Sequence, residues 1–146
     1  MPLQGEYVPP KTPWVARQLE QIDATGDTAA VHIQHRPVVV FTIRGKKTGL
    51  LRRVPLMRVE HGGSYVAVGS VGGAPKNPAW VASIKANPEV ELQDGTTTVD
   101  LRARLLEDGP ERDEWWERCV AAYPSYADYQ KKTERLIPVF LCEPVS

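Results

Sequence analysis

The chain has 146 residues, 42% of them hydrophobic and 25% charged, with 18 Lys and Arg balancing 18 Asp and Glu. That length suits one domain with a core of its own. A formal net charge of +0 leaves no global field to draw the protein to nucleic acid or acidic lipid, so any attraction for anions must be local.

No apolar run approaches the length of a membrane span, and the N-terminus lacks a signal-peptide core. The only cysteines, Cys119 and Cys142, lie far apart, which favours a reducing, cytoplasmic setting over a disulfide framework or a Cys-rich metal site. Met1 to Lys11, with Pro2, Pro9 and Pro10, reads as an extended surface segment. Thr12-Pro13 predicts a helix start; Trp14, Val15, Leu19 and Ile22 follow at a spacing near 3.6, and Gly26 stops the helix. Asp27 to Arg36 reads as a polar connector. Its His32 and His35 have no second pair to complete a metal set, so no metal is expected.

Pro37 to Arg44 predicts a buried strand, Leu51 to Val59 its hairpin partner, and Ser64 to Ser70 a third strand. Asn77 and Pro78 predict the start of a short helix, Ala79 to Ala86, stopped by Asn87-Pro88. Val90 to Gln93 and Thr96 to Leu106 read as strands around an Asp94-Gly95 turn. Pro110 opens a helix with Trp115, Trp116, Cys119 and Val120 on one side. Tyr123-Pro124 breaks it, Ser125 caps a continuation to about Thr133, and Ile137 to Cys142 is the last strand. Six strands joined mainly by tight turns predict an α+β protein, mainly β, whose antiparallel sheet curls into a barrel.

Dinucleotide-binding glycine motifs, a P-loop and a G-x-S-x-G elbow are all absent. Three loops remain. Between Ile43 and Leu56, five cations fall within ten positions (Arg44, Lys46, Lys47, Arg52, Arg53), beside Gly45 and Gly49. Such a hairpin suits a phosphate or several carboxylates, although a solvated tip kept for solubility has the same composition. Gly69 to Pro75, followed by Lys76 to Trp80, bares backbone donors ahead of a helix N-terminus, with Trp80 either a flat wall or a core residue. Tyr123, Tyr126 and Tyr129 are three apart and share a helix face if the helix continues, offering phenol donors or half-buried packing. Together the loops suggest a cleft for an elongated ligand with an anionic tail and a flat head.

These blocks occur in a specific order. Gly45-Lys46-Lys47-Thr48-Gly49, Arg52, Pro55-Leu56, Ser70-x-Gly72-Gly73-Ala74, Asn77-Pro78-x-Trp80, Ala86-Asn87-Pro88, Tyr123-Pro124-Ser125-Tyr126-x-x-Tyr129-Gln130 and Ile137-Pro138-Val139 follow one another from about Pro37 to Pro144. The ordered set resembles the deazaflavin-dependent nitroreductase family, actinobacterial flavin/deazaflavin oxidoreductases. The resemblance implies a six-stranded antiparallel split β-barrel of the FMN-binding, pyridoxamine phosphate oxidase-like type. Residues 1–36 would form an N-terminal extension and helix, and 37–146 the deazaflavin-binding part of a single domain. The implied cofactor is reduced coenzyme F420, a 5-deazaflavin with a phosphate and an oligoglutamate tail.

By the same resemblance, Lys46, Lys47, Thr48 and the run Arg52, Arg53, Val54, Pro55, Leu56 and Met57 would line phosphate and ring. Val68, Gly69, Ser70 and Val71, with Ala79, Trp80, Val81, Ala82 and Ser83, would form the other wall. Tyr126 would reach cofactor or substrate and is the candidate proton donor, with solvent as the alternative; Tyr123 and Tyr129 would border the substrate pocket, with Ser70 beside the reacting groups. The implied reaction moves a hydride to an activated double bond in a conjugated ester, lactone or quinone, or to a nitro compound. Members that activate nitroimidazoles carry a tyrosine at the position of Met57 and a lysine at that of Val71; both are missing here. The alternative is a non-catalytic carrier of F420, FMN or heme on the same fold. The expected partner is a small-molecule substrate, with no nucleic acid and no stable membrane association, in a monomer or homodimer.

Overall fold

The structure is a computed structural model that describes residues 5–7, 13–33, 36–69, 79–133 and 136–145. Helix α1 (Pro13–Thr25) begins at a proline, whose fixed φ and missing N–H suit a first turn. It ends where Gly26 takes φ 71°. The expected Thr12 cap, His35, Ser70, Val71 and the Asn77-Pro78 helix start lie outside the described residues. The connector after α1 is more ordered than its polarity predicts. A 3₁₀ turn (Thr28–Ala30), capped by the Asp27 side chain on Ala29 N–H, leads into a two-residue strand, β1 (His32–Ile33).

Strand β2 (Arg36–Arg44) is apolar at successive positions because both faces are covered. Val39, Phe41 and Ile43 enter the interior cluster, while Val38 and Val40 pack against Leu19 and Ile22 of α1. Strand β3 (Leu51–Met57) pairs with β2 from Arg44↔Leu51 to Val38↔Met57. It has no other ladder among the described residues, so it is an edge. Leu51 N–H points away from β2 and donates to Glu6 O at 2.8 Å. By alternation Pro55 also faces that free edge, where its missing N–H costs no ladder bond.

Beyond β3 come β4 (Glu60–His61), β5 (Ser64–Val68), α2 (Ala79–Ala86), β6 (Glu89–Asp94) and β7 (Thr97–Leu105). Helices α3 (Pro110–Ala122) and α4 (Ser125–Lys131) precede β8 (Val139–Pro144). Among the described residues the sheet is antiparallel and has eight strands rather than the six expected, since β1 and β4 add two residues each. Its order is β1-β2-β6-β7-β8-β5-β4, with β3 on the other side of β2. The last strand lies two residues later than predicted, because Ile137 and Pro138 are spent approaching the sheet. No ladder joins β3 to β5 among the described residues, so barrel closure is not established.

The sheet nonetheless curls strongly. β5 and β6 are separated by β7 and β8, yet Tyr65 OH donates to Asp94 Oδ2 at 2.6 Å. Arg58 Nε completes the contact by donating to both Asp94 oxygens, at 3.0 and 2.9 Å. Alternation divides the core accordingly. Ala67, Phe140 and Cys142 point inward with Leu92, Leu101 and Ile84, whereas Val66, Val68, Val139 and Leu141 point out under α3 and α4. Gly69 lies against Val81 of α2. A Cβ there would stand 2.9 Å from Val81 Cγ2, so a larger residue would push α2 off the sheet.

Candidate active site

The β2–β3 hairpin projects the cations. Its loop is braced from within: Gly45 N–H donates to Leu50 O at 2.8 Å, Gly49 N–H to Gly45 O at 3.0 Å, and Leu50 N–H to Thr48 Oγ1 at 3.2 Å. Gly49 takes φ 71°, a conformation glycine adopts without strain. Arg44 spans the root by donating to Gly49 O at 2.7 Å. Lys46, Lys47 and Thr48 are exposed at the tip.

Register then separates neighbours on β3. Arg52, Val54 and Leu56 lie opposite Ile43, Phe41 and Val39, on the inward face, and Val54 and Leu56 pack on the interior cluster. Arg52 is half-buried and makes no ion pair or hydrogen bond with a described residue. Arg53 points the other way. It grips Asp23 of α1 with two bonds of 2.6 and 2.9 Å, and its guanidinium lies 5.8 Å from the centre of the Tyr7 ring. Those bonds hold the Asp23 carboxyl below its ordinary range. The structure therefore does not bring Arg53 together with Arg52. Pro55 shares Arg53's face, and Met57 is buried at the far end among the residues beneath α3 and α4.

The second wall is α2. Val81 is buried in the interior cluster and Trp80 packs half-buried on it, with its ring centre 6.1 Å from that of Phe140. Ala79 and Ala82 are exposed. Ser83 faces the hairpin, where its Oγ accepts Lys46 N–H at 3.1 Å. Val68 and Gly69 are buried at the end of β5, beside Met57 and Val81 respectively.

The tyrosines converge, but not as one helical stripe. Tyr123 follows α3 as its C-cap, and Tyr126 and Tyr129 belong to α4. The break at Pro124 folds their rings edge to face, with centres 5.0, 6.0 and 6.2 Å apart. The hydroxyls of Tyr123 and Tyr129 are hydrogen-bonded at 2.9 Å. This bond, reinforced by burial, pushes the Tyr129 phenol up to about 12. Tyr126 is only 4% exposed. Burial, with the Cys119 thiol and the other two phenols beside it, drives its phenol far above the ordinary value. Tyr126 and Tyr129 therefore hold their protons at neutral pH.

Several features were not legible in sequence. The Arg58–Asp94–Tyr65 network needs β5 and β6 to meet through the curl, which no local pattern encodes. The contact between Ser83 and the tip joins residues 37 positions apart. A cleft of about 290 Å³ lies behind the hairpin root, lined by Arg44, Asn87, Pro88, Glu89 and Arg102, not by the tyrosines. Among the described residues no group of three His, Cys, Asp or Glu converges as a metal set, and His32 is exposed. No described helix is long and apolar enough to cross a membrane.

The antiparallel sheet thus carries a cationic hairpin at one end of β3 and, at the other, Met57 in the cluster that holds Tyr123 and Tyr126. Residues 14–144 match the family described as F420H(2)-dependent quinone reductase, and the chain belongs to that family. The F420H(2)-dependent quinone reductase Rv1261c of Mycobacterium tuberculosis is 31% identical over 105 residues, covering 70% of this chain and 70% of its own. A solved F420-H2 dependent reductase, FDR-A, is 55% identical, covers 77% of this chain and 99% of its own, and superposes with a TM-score of 0.70. Another structure, described as a domain-swapped dimer, is 52% identical over 92% of this chain and 100% of its own, with a TM-score of 0.73. An FAD-binding protein from Mesorhizobium loti, 16% identical with a TM-score of 0.55, covers 86% of this chain and 87% of its own and shares the fold alone.

Proposed function

We propose that this chain is a reductase that takes reduced F420 as its electron donor and acts on a quinone or a comparably activated double bond. The observation that carries the proposal is the layout of β3. Its tip end adjoins the exposed Lys46 and Lys47, its inward face carries Arg52, Val54 and Leu56, and its far end, Met57, joins the tyrosine-bearing cluster. The strand's seven residues span about 20 Å at ~3.3 Å per residue, enough for an anionic tail and a planar head to lie end to end.

The residues present fit such a molecule. A half-buried guanidinium with no described partner invites a phosphate, and the tip ammonium groups suit a tail of carboxylates. Val54, Leu56 and Trp80 offer apolar surface to a ring. When bound, reduced F420 supplies a hydride from its central ring carbon. For the protein, the work is to hold an acceptor nearby, keep water out and deliver one proton to the acceptor oxygen. We assign that proton to Tyr129. It is half-buried rather than sealed, and its hydroxyl is oriented by that of Tyr123. Tyr126 then serves as packed floor. Ser70 and Val71 stay assigned to the cofactor wall through the family likeness.

We further propose that the curled sheet closes as the six-stranded split barrel, β1 and β4 being short extensions. Residues 1–36 would be an extension packed on it through α1, and the molecule would be a cytoplasmic monomer or homodimer. Mixing the purified chain with reduced F420 and a naphthoquinone tests the activity. Oxidised F420 should accumulate in proportion to quinone consumed. Tight binding without turnover would favour the carrier instead, and neither binding nor turnover would remove the proposal.

A further inference from the structure

Ile137 lies just ahead of β8 and is fully buried, so water cannot serve its backbone N–H and C=O. Side chains from two helices serve them instead. Arg112 of α3, only 5% exposed, donates from Nη2 to Ile137 O at 2.7 Å. Gln130 of α4 accepts Ile137 N–H on Oε1 at 3.0 Å. One residue on, Pro138 O accepts Gly69 N–H from the end of β5 at 2.9 Å. The approach to β8 is therefore pinned by α3 and by the sheet, and it offers α4 a fixed point of attachment.

α4 needs one. Its seven residues make about two turns, too few for a helix to persist without tertiary contacts. Tyr126, in its first turn, is sealed into the cluster beneath α3 and α4. Gln130 is four positions further on, so it leaves the same face of the helix at its other end. An anchor at Tyr126 alone would let α4 swing about that ring; the Gln130 bond to Ile137 stops the swing. Tyr129 is the chain neighbour of Gln130, and its hydroxyl meets that of Tyr123, at the end of α3, at 2.9 Å. A swing of α4 would open that gap and move the phenol.

We infer that Gln130 is a positioning residue for the reaction: by tying α4 to the approach of β8, it fixes where the Tyr129 hydroxyl stands. Its side-chain oxygen is spent on a backbone amide, so it acts through Tyr129. The inference rests on the reading of Tyr129 as proton donor in F420-dependent reduction.

Steady-state rates of the full chain with reduced F420 and a naphthoquinone, beside fluorescence titration with F420, test it. Gln130→Met keeps the length and removes the acceptor; it should lower kcat about tenfold and leave the F420 Kd within about twofold. Gln130→Glu restores the acceptor and should stay within about threefold of the wild type. In a Tyr129→Phe background, Gln130→Met should lower kcat by less than about twofold more, because residues acting through one phenol do not add. Should Gln130→Met fail to fold, Gln130→Asn, one methylene short of Ile137, should lower kcat about threefold with the same unchanged affinity. NMR titration of ring-labelled tyrosine gives a readout without ligand. The Tyr129 phenol, held at about 12 in the wild type, should ionise closer to the ordinary value of about 10 in Gln130→Met as its bond to Tyr123 loosens. Additive losses, an equal loss of F420 affinity, a Gln130→Met as fast as the wild type, or an unmoved Tyr129 phenol would overturn the positioning role alone. A wild type that leaves reduced F420 unoxidised sinks the reductase reading, and the role of Gln130 in the reaction goes with it.

Discussion

Arg52 and Arg53 are chemically identical and adjacent, yet the fold gives them opposite tasks. Successive strand residues face opposite sides, so only one can look inward. That much was legible in the sequence once the strand was recognised; which one faces inward needed the register with β2. Replacing Arg52 by Gln should weaken F420 binding about tenfold to a hundredfold, as expected for a lost charge-assisted bond. Arg53→Gln should change it less than about threefold, because its partner Asp23 is half-exposed on another face. Titrations of the two variants check this, and equal losses would contradict the assignment. The tyrosines divide in the same way. Their spacing predicted a shared location but not that Tyr126 would be sealed and Tyr129 left accessible, because the turn at Pro124 sets that. Tyr129→Phe should lower quinone turnover about tenfold or more, and Tyr126→Phe less than about threefold. The reverse ranking in steady-state rates would return the proton to Tyr126.

The hairpin and α2 are the elements the sequence announced most clearly, through paired glycines, apolar flanks and the stop at Asn87-Pro88. β1 and β4 escaped because two residues cannot display a period of two. The junction of α2 with the sheet depends on the missing side chain of Gly69, and a sequence shows a glycine without showing what approaches it. Gly69→Ala should cost about 1–3 kcal/mol, the range for overpacking a filled site, because the added methyl meets Val81 Cγ2 at 2.9 Å. Denaturant midpoints measure this. A neutral effect would mean that α2 can slide at no cost.

In the whole molecule, the curl of the sheet brings Tyr65 and Asp94 together from strands that do not pair, with Arg58 added from the link between β3 and β4, so no local pattern could have foretold it. The Tyr65 phenol is pushed up to about 12, by burial first and the Asp94 carboxylate second. A proton held more tightly in the folded than in the unfolded chain stabilises the fold fully below the ordinary phenol value of about 10. That contribution drains away as pH climbs towards 12. Thermal midpoints should therefore fall more steeply across this alkaline window in the wild type than in Tyr65→Phe, and parallel curves would contradict the role given to the network. The same curl sets β3 along the rim with cations at one end and phenols near the other, and the proposed function rests on that placement. Chemical-shift mapping of the chain titrated with F420 tests it most directly. The account predicts perturbations running from Lys46, Lys47 and Thr48 through Arg52, Val54 and Leu56 to Tyr129. Perturbations centred on Arg44, Glu89 and Arg102 behind the hairpin root, or none at all, would contradict it.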